Sequence, residues 1–321
     1  MTIRIKSHNE WDPLVSVVVG SALGAYWPPD LAKMETNWTK TPIPSGPVSK
    51  KVIRETQAEL DTMCKILHGL GVKVYRPDYM DFQKTQGLYN YCPRDRLLVI
   101  GETVIVPNMT MPCRNQEVEN LEFVLDHCSD VRRMPERPDM FLDAANVCRL
   151  GNKLIVLENK TGSPAGIQWL QKQLPDYEIE VWRGYPGSHI DSTIIPLREG
   201  LVLLNGSRIT PENCPRVLRD WEKIWVNDCV ERKFMRYPYA TKWIGINLLV
   251  VDPHCVIMDA IQTDLIRELE QHEIHVIPFE LTHSRTLGGG YHCVTLDLER
   301  DPQRDLVKDP RHRRRADTNE I

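Results

Sequence analysis

The feature that most constrains the fold of this chain is a repeat with a period of roughly 48 residues, a length typical of architectures built from one supersecondary unit. Each of five units predicts an amphipathic helix, a short strand and then a hairpin of two apolar strands. The helices are expected in the segments 55–70, 117–128, 166–174, 215–225 and 263–272. The hairpins are expected at 97–106, 147–156, 193–204 and 245–258, and a fifth would pair 293–298 with the N-terminal segment 15–19.

Such units predict an α/β fold, namely a five-bladed α/β propeller of ββαβ-type modules with pseudo-five-fold symmetry around a central channel. Closing the ring would remove exposed sheet edges. The alternative is an open, doubly wound sheet, which needs no such regularity and usually carries a glycine-rich phosphate loop that this sequence lacks. We expect residues 1–300 to form a single domain. Residues 301–321 predict a disordered basic tail, because they are rich in arginine and poor in apolar side chains.

The composition narrows the classes of function. With 41% hydrophobic residues and a net charge of −4, the chain gives no reason to expect a nucleic acid or an anionic membrane as partner. No apolar run approaches the roughly 18 residues of a membrane span, and the N-terminus lacks the apolar core of a signal peptide. Nine scattered cysteines without a CxxC pair argue against a disulfide framework or a zinc site, and they predict a reducing, cytoplasmic location.

Polar or reactive side chains that could take part in catalysis recur just before the first hairpin strand of each unit. They are Asp95, Asp143, His189 with Asp191, Thr241 and Cys293. In a closed ring, equivalent positions converge on one axis, so the repeat predicts that these side chains meet at one end of the channel. Taken singly, each has an ordinary explanation as a cap, a turn residue or a small buried side chain. Their shared position favours a functional site.

Cys293 follows three consecutive glycines, 288–290, where a strand is expected to leave a flexible loop. A cysteine with a histidine and a carboxylate suits nucleophilic catalysis. Carboxylates near a thiol oppose thiolate formation unless the substrate is itself a cation. A planar guanidinium, with five N–H donors, binds carboxylates in bidentate pairs. The pattern therefore predicts a thiol that attacks the carbon of a bound guanidinium group. The neighbouring His292 is expected to point away from Cys293, since neighbours on a strand alternate faces.

Five spaced motifs resemble the L-arginine amidinotransferases, the arginine:glycine and arginine:inosamine enzymes of the guanidino-modifying pentein superfamily. The motifs are NEWDPL at 9–14, PRD at 93–95, DAA at 143–145, HIDST at 189–193 and GGGYHC at 288–293. They span nearly the whole chain up to the tail. The resemblance implies a five-bladed propeller and a ping-pong transfer without cofactor or metal. The cysteine would attack the guanidino carbon of arginine, ornithine would leave, and an acceptor amine would take the amidino group.

Carried over motif by motif, the resemblance makes Cys293 the nucleophile. It makes His189 the general acid and base, which protonates ornithine and then deprotonates the acceptor. Asp143 would orient His189. Asp95 and Asp191 would hold the guanidinium group.

The resemblance also suggests how the rest of the substrates bind. Arg208 matches the position that grips the α-carboxylate of arginine, and Thr241 falls where glycine-acting relatives have a serine. Those relatives carry a methionine at the position of Ser188, so the smaller side chain implies a roomier acceptor pocket. We therefore expect an acceptor larger than glycine, from a natural-product pathway, as in members that resemble the saxitoxin or streptomycin enzymes.

Other functions remain open from the sequence. A glycine-acting amidinotransferase would form guanidinoacetate, and an arginine deiminase-type hydrolase would resolve the same intermediate with water. A non-catalytic guanidine-binding protein would need neither Cys293 nor His189. A metal site at His189 and Asp191 would require further spaced ligands, which the sequence does not offer. The expected partners are L-arginine and an amine, with a homodimer as a candidate assembly.

Overall fold

Five three-stranded sheets form the framework of the computed structural model, which describes residues 3–34 and 41–304. In chain order the strands are β1 (Leu14–Val19), β2 (Tyr26–Trp27), β3 (Gly46–Pro47), β4 (Lys73–Tyr75), β5 (Leu98–Ile100), β6 (Thr103–Val106), β7 (Asp130–Arg133), β8 (Val147–Leu150), β9 (Lys153–Leu157), β10 (Glu178–Trp182), β11 (Ile194–Arg198), β12 (Leu201–Asn205), β13 (Glu222–Val226), β14 (Leu249–Asp252), β15 (Cys255–Asp259), β16 (His275–Phe279) and β17 (Thr295–Arg300). The α-helices are α1 (Leu31–Met34), α2 (Lys50–Gly69), α3 (Phe82–Thr85), α4 (Pro93–Arg96), α5 (Glu122–Leu125), α6 (Pro164–Gln173), α7 (Thr263–Gln271) and α8 (Ser284–Leu287). Short 3₁₀ helices span Pro112–Leu121, Ala144–Asn146, Arg216–Leu218 and Lys242–Ile246.

The five sheets share one strand pattern. In each, a central strand pairs antiparallel with its hairpin partner and parallel with a third strand that follows in the chain. The strand orders are β17-β1-β4, β5-β6-β7, β8-β9-β10, β11-β12-β13 and β14-β15-β16, which we number as the first to fifth sheets. The first sheet joins the two ends of the described chain, because β1 pairs with β17 as the repeat predicted. The small pair β2-β3 was not predicted.

Hydrophobic clusters fill the spaces between neighbouring sheets. One lies between the first and second sheets, one between the second and third, and one joins the third, fourth and fifth. The remaining cluster contains Val17 and Val19 of the first sheet with Leu249 and Ile257 of the fifth, whereas Val18 belongs to the cluster shared with the second. Strands buried on both faces explain why these segments are continuously apolar rather than alternating. An α/β fold is thereby established; closure into a five-bladed propeller stays a prediction.

The helices follow the predicted pattern in three of the five units. Helix α2 buries Val52, Leu60, Met63 and Leu67 on one face, begins five residues earlier than predicted, and ends before Gly71, whose φ of +77° favours glycine. Helix α6 starts with Pro164 after the Ser163 cap, whose hydroxyl accepts the Gly166 N–H. Helix α7 matches its predicted span to within one residue.

The predictions for the second and fourth helices are wrong. Only Glu122–Leu125 is α-helical in the second, and a 3₁₀ helix precedes it. The fourth is a single 3₁₀ turn, Arg216–Leu218, and Trp225 lies in strand β13. Alternation explains this error: Ile224 and Val226 are buried while the Trp225 side chain between them is partly exposed, which is the period of a strand.

A buried ionic network ties the N-terminal segment to the third sheet and to the last strand. The Arg149 guanidinium donates to both oxygens of Glu10, at 2.9 and 2.6 Å, and to Asp297 Oδ2 at 2.7 Å. Ser7 Oγ and Arg300 Nε each donate to the same Asp297 oxygen at 2.8 Å. Charged groups hydrogen-bonded to each other at such distances satisfy one another although they are buried, so the network links the N-terminal segment to β8 and β17.

Two further observations bear on the predicted class of protein. All nine cysteines lie in the described part of the chain, and none of them forms a disulfide. Within residues 3–34 and 41–304, no helix combines the length and the apolar character that a bilayer-crossing segment needs. The predicted basic tail falls outside the described residues from position 305 onward.

Candidate active site

All eight side chains singled out from the sequence line one cavity of about 300 Å³. They are Asp95, Asp143, Ser188, His189, Asp191, Arg208, Thr241 and Cys293. Most lie just before the first hairpin strand of a sheet, so the shared strand pattern places them at the same end of their modules. The cavity also receives aromatic side chains that were not predicted, Tyr89, Tyr185 and Tyr239.

Tight packing explains the three glycines before Cys293. Only Gly288 has a backbone that favours glycine, with φ of +82° at the end of α8. A Cβ on Gly289 would lie 2.5 Å from Cys92 Sγ, and one on Gly290 would lie 2.6 Å from Asn247 Oδ1. The glycines therefore serve one left-handed turn and two close approaches, and together they lead the chain to a buried Cys293.

The thiol of Cys293 is surrounded by groups that keep it protonated. Its Sγ donates a hydrogen bond to Asp191 Oδ2 at 3.2 Å. A hydrogen bond with the Cys92 thiol, burial and the negative charge of Asp191 together hold the pKa of Cys293 well above its ordinary value. Without a cation in the cavity, the sulfur is therefore a neutral thiol at neutral pH.

His189 has the opposite tendency, because three carboxylates surround it. Its Nε2 contacts Asp143 Oδ2 at 2.9 Å, and its Nδ1 lies 3.6 Å from Asp95 Oδ1. Burial disfavours the charged imidazole, but the charges of Asp95, Asp143 and Asp191 and the Asp143 hydrogen bond raise its pKa to about 9. At neutral pH His189 therefore carries a proton that it can donate.

The backbone at His189 is strained. Its φ of +56° lies in the left-handed region, which costs a residue with a Cβ roughly 1–2 kcal/mol. The next residue is anchored, since the Ile190 N–H donates to Ala145 O at 3.0 Å. Strain held by surrounding structure is common where a side chain must be aimed, and here it directs the imidazole between Asp143 and Asp95.

The carboxylates of Asp143 and Asp191 are held ionised. Asp143 Oδ1 accepts the Thr110 N–H at 2.8 Å while its Oδ2 faces His189. Burial opposes the charge of Asp143, but these hydrogen bonds and the imidazolium lower its pKa. Burial likewise opposes the charge of Asp191, yet His292, His189 and the Cys293 thiol lower its pKa to about 2.

Arg114 and Glu117 are site residues that sequence reasoning missed. The Arg114 guanidinium grips both oxygens of Glu117, at 2.9 to 3.1 Å, and donates to Asp95 Oδ2 at 2.8 Å. Asp95 Oδ1 is buried and has no hydrogen-bond partner among the described residues. Arg114 thus fixes one oxygen of Asp95 and leaves the other facing the cavity. The spacing of Arg114 and Glu117 on one 3₁₀ helix was the only local signal for this pair.

Arg208 and Thr241 contact each other in the wall of the cavity. Arg208 donates to Thr193 Oγ1 at 2.8 Å and to Thr241 Oγ1 at 3.3 Å, and its guanidinium stacks 4.2 Å from the centre of the Tyr185 ring. These contacts hold a cation at the wall with only part of its donor capacity used. Ser188, the sequence neighbour of His189, also lines the cavity.

His292 does not line the cavity, which agrees with the expectation that it points away from Cys293. Its Nδ1 contacts Asp191 Oδ2 at 3.0 Å, the same oxygen that accepts the Cys293 thiol. Its Nε2 lies 3.3 Å from Glu10 Oε2, so Asp191 is linked to the buried ionic network. This link was not foreseen, because the partners of His292 are distant in sequence.

The arrangement suits one kind of substrate. A buried thiol, an imidazolium, ionised carboxylates and the guanidinium of Arg208 line a common space. The carboxylates attract a cation, and the same cation would favour the thiolate. In the described residues, no three histidine, cysteine or acidic side chains are grouped so that they could hold a metal ion.

Comparisons with known proteins agree with this geometry. No family model matches the chain. The chain is 38% identical over 336 residues to inosamine-phosphate amidinotransferase 1 of Streptomyces glaucescens, with 92% of this chain and 97% of the relative covered. The solved inosamine-phosphate amidinotransferase StrB1 of Streptomyces griseus superimposes with a TM-score of 0.86 at 37% identity, covering 95% of this chain and 99% of that one. SxtG, an amidinotransferase of the saxitoxin biosynthetic pathway from Microseira wollei, superimposes with a TM-score of 0.83 at 26% identity, with the same coverage.

Proposed function

The chain belongs to the amidinotransferase family and is an amidinotransferase, and from this premise we propose that it moves the amidino group of L-arginine to an amine larger than glycine. The group would pass through a covalent intermediate on Cys293, with release of L-ornithine. The acceptor would be an amine of a natural-product pathway, as the names of the inosamine-phosphate and saxitoxin relatives suggest.

One observation carries this proposal: the thiol of Cys293 lines a cavity together with the carboxylates of Asp95, Asp143 and Asp191, which attract a cationic substrate. Asp191 Oδ2 accepts a hydrogen bond from the thiol at 3.2 Å. Among the described residues, Asp95 Oδ1 is buried and forms no hydrogen bond, although the His189 imidazolium lies 3.6 Å away. A buried carboxylate oxygen without a hydrogen bond is costly, and a guanidinium N–H is a donor that would supply one. A guanidinium held between Asp95 and Asp191 would bring its carbon to the sulfur.

In the first half-reaction the Cys293 sulfur would form a bond to the guanidino carbon of arginine, and the bond from that carbon to the ornithine nitrogen would break. His189, protonated at neutral pH, would donate its proton to the departing nitrogen. The thiol proton would replace the one that His189 gave up. The products are neutral ornithine amine and a positively charged amidino group on sulfur, so atoms and charge balance.

In the second half-reaction the acceptor amine would enter the space left by ornithine. The amine nitrogen would attack the amidino carbon and the carbon–sulfur bond would break. His189 would give the proton it holds to the departing sulfur and take one from the amine, so the thiol and the imidazolium are both restored. Asp143 would keep the imidazole in place during both steps through its 2.9 Å contact. Arg208 would bind the α-carboxylate of arginine, because its guanidinium lines the same cavity and can pair with a carboxylate.

The acceptor side of the cavity supports a substrate larger than glycine. Gly187, Ser188 and Thr241 are small residues that line the cavity. The cavity of about 300 Å³ holds hydroxyl groups and the ring of Tyr185, which suit a hydroxylated amine. A glycine-acting enzyme would need less room.

The experiment is to measure ornithine release from arginine with and without a panel of amines, including glycine and an inosamine phosphate, by mass spectrometry. We expect ornithine release beyond one equivalent per enzyme only when a large amine is present, together with its guanidinated product. Without acceptor, the intact protein should gain the mass of one amidino group. Cys293→Ala should abolish both signals. Cys255→Ala is the matched control, because Cys255 is also a buried cysteine but lies in β15 away from the cavity.

Other outcomes would replace the proposal. Citrulline formed without an amine would identify the hydrolase, and guanidinoacetate as the best product would identify a glycine-acting enzyme. Arginine binding that survives in Cys293→Ala, with no turnover by the parent protein, would identify a binding protein.

We also propose that the five sheets are the blades of a closed propeller in one catalytic domain of residues 1–300. The cluster that joins the fifth sheet to the first supports closure. A cytoplasmic location is supported by nine free thiols. A homodimer is a candidate assembly that the molar mass in solution would test.

A further inference from the structure

Asn247 is a buried residue that neither the sequence motifs nor the catalytic scheme uses. It lies between the 3₁₀ helix Lys242–Ile246 and strand β14, and its side chain is fully buried. Its Oδ1 accepts the backbone N–H groups of His292 and Cys293, at 2.9 and 3.2 Å. Its backbone carbonyl accepts the Tyr291 N–H at 3.0 Å. Asn247 therefore binds three consecutive residues of the loop that ends in the thiol.

The other end of the same amide binds the segment that carries Asp191. Asn247 Nδ2 donates to the backbone carbonyl of Asp191 at 3.1 Å and contacts Ser192 Oγ at 3.4 Å. One planar group thus connects the backbone of Cys293 to the backbone of Asp191. The Sγ and Oδ2 atoms of these two residues lie 3.2 Å apart.

Only an amide of this length meets both sets of contacts. An aspartate would accept the two N–H groups but could not donate to the Asp191 carbonyl. An alanine would leave two N–H groups and a carbonyl unsatisfied in a buried place, which is costly. A longer glutamine would not fit, because the loop already packs closely: a Cβ on Gly290 would lie 2.6 Å from Asn247 Oδ1.

We propose that Asn247 is a positioning residue that fixes the Cys293 sulfur relative to the carboxylate of Asp191, and so sets the distance between the sulfur and the bound guanidinium carbon. The inference rests on the proposed function, in which Asp191 holds that guanidinium. It predicts that Asn247 governs the rate of the covalent step. Arginine binding depends on Asp95, Asp191 and Arg208, which Asn247 does not replace.

The test is single-turnover formation of the amidino-enzyme from arginine, followed by mass spectrometry, for the parent, Asn247→Asp and Asn247→Ala. The amplitude reports how much protein is folded, and the rate constant reports geometry. A misplacement of about 1 Å can cost about a hundredfold in rate, so we expect the rate constant to fall by about ten- to a hundredfold. Measuring this rate constant at a series of arginine concentrations also gives the dissociation constant of arginine, which should stay within about threefold of the parent value.

Two further variants keep the test decisive. Asn120→Asp is the matched control, because Asn120 is also buried and donates to another side chain, Asn90 Oδ1, at 3.0 Å, but it lies outside the cavity. It should form the adduct at the parent rate. Gly290→Ala presses on the Asn247 amide from the loop side and should reproduce the slow covalent step even if the Asn247 variants do not fold.

The outcomes separate the positioning role from the proposed function. An unchanged rate constant in Asn247→Ala or Gly290→Ala, while the parent forms the adduct, would overturn the positioning role alone. A weaker arginine affinity that accounts for the whole loss would also overturn it, as would an equal loss in Asn120→Asp. Absence of any adduct in the parent would instead reject the proposed function and this inference with it.

Discussion

Replacement of Asp143 by asparagine tests how His189 is kept protonated. Asp143 Oδ1 accepts the Thr110 N–H at 2.8 Å, and Oδ2 contacts His189 Nε2 at 2.9 Å. An asparagine cannot serve both partners. If its oxygen accepts the Thr110 N–H, its NH₂ group faces Nε2 and favours a neutral imidazole protonated on Nδ1. If the amide turns round, its NH₂ group opposes the Thr110 N–H. Either way one hydrogen bond is lost.

The structure sets the size of the effect. The pKa of His189 is about 9 against a usual 6.5, which corresponds to about 3 kcal/mol of preference for the charged form. Asp143 is the carboxylate hydrogen-bonded to the ring, whereas Asp95 lies at the longer 3.6 Å. A hydrogen bond to a charged group contributes about 1.5–3 kcal/mol, so Asp143→Asn should lower the pKa of His189 by about one to two pH units. The group would then titrate near physiological pH.

The rate should fall more steeply than the lower pKa of His189 alone implies. The neutral imidazole would be protonated on Nδ1, whereas the Asp143 carboxylate of the parent keeps a proton on Nε2. Loss of a positioned general acid costs about 10²–10⁴-fold, and we expect kcat for ornithine release to fall within that range. The assay is the initial rate of ornithine release from pH 5 to 10, with the imidazole followed by NMR of histidine-labelled protein. Asp139→Asn is the control, since Asp139 is an exposed carboxylate that pairs with Arg137.

A variant whose His189 still titrates near 9, with ornithine release close to the parent rate, would refute the reasoning. It would mean that Asp95 and Asp191 alone hold the proton. A lower pKa without loss of rate would instead show that His189 is not the acid in the slow step.

Three more results should follow from the geometry. His189 has a folded-state pKa raised to about 9, so its contribution of about 3 kcal/mol to the free energy of unfolding is complete below pH 6.5 and is lost as the pH rises through 9. Urea unfolding should therefore show that the difference in free energy of unfolding between the parent and His189→Gln shrinks across that range, and a constant difference would contradict this. Arg114→Leu should lower the free energy of unfolding by about 3–5 kcal/mol in the same assay, because Asp95 and Glu117 lose their buried partner. A loss below about 1 kcal/mol would show that these carboxylates become protonated at little cost. In separate assays of the two half-reactions, Ser188→Met should slow transfer to a large amine by about tenfold or more and leave adduct formation from arginine unchanged. Equal slowing of both half-reactions would contradict a role of Ser188 in acceptor binding.

The hairpins could be predicted because their signals are local. Apolar runs interrupted by Gly101, Gly151 and Gly200 gave the turns, and all three glycines have positive φ in the structure. The prediction of a helix after Pro215 was wrong, because Trp221 and Trp225 fit a helical spacing but Trp221 precedes strand β13 and Trp225 lies in it. Trp221 packs edge-on against Trp11 at 5.7 Å, a contact that no local period reveals.

The positions of the site residues could be predicted, but their connections could not. Equivalent places in the repeat brought Asp95, Asp143 and Cys293 to one cavity. The hydrogen bond of Asn247 to Cys293 spans 46 residues, and that of Arg114 to Asp95 spans 19. Such pairings depend on how neighbouring sheets pack, and a buried amide or guanidinium has no sequence pattern of its own.

The pairing of β1 with β17 has a consequence for the order in which the enzyme is made. Ser7 donates to Asp297, a partner 290 positions later, so the first sheet can gain its antiparallel edge only after synthesis has passed β17. Contacts of such large sequence separation form slowly. Before β17 is made, β4 is the only partner that β1 has in the first sheet, and the loop that carries Cys293 comes directly before β17. A chain that ends before this loop therefore lacks the proposed nucleophile as well as one edge of the first sheet.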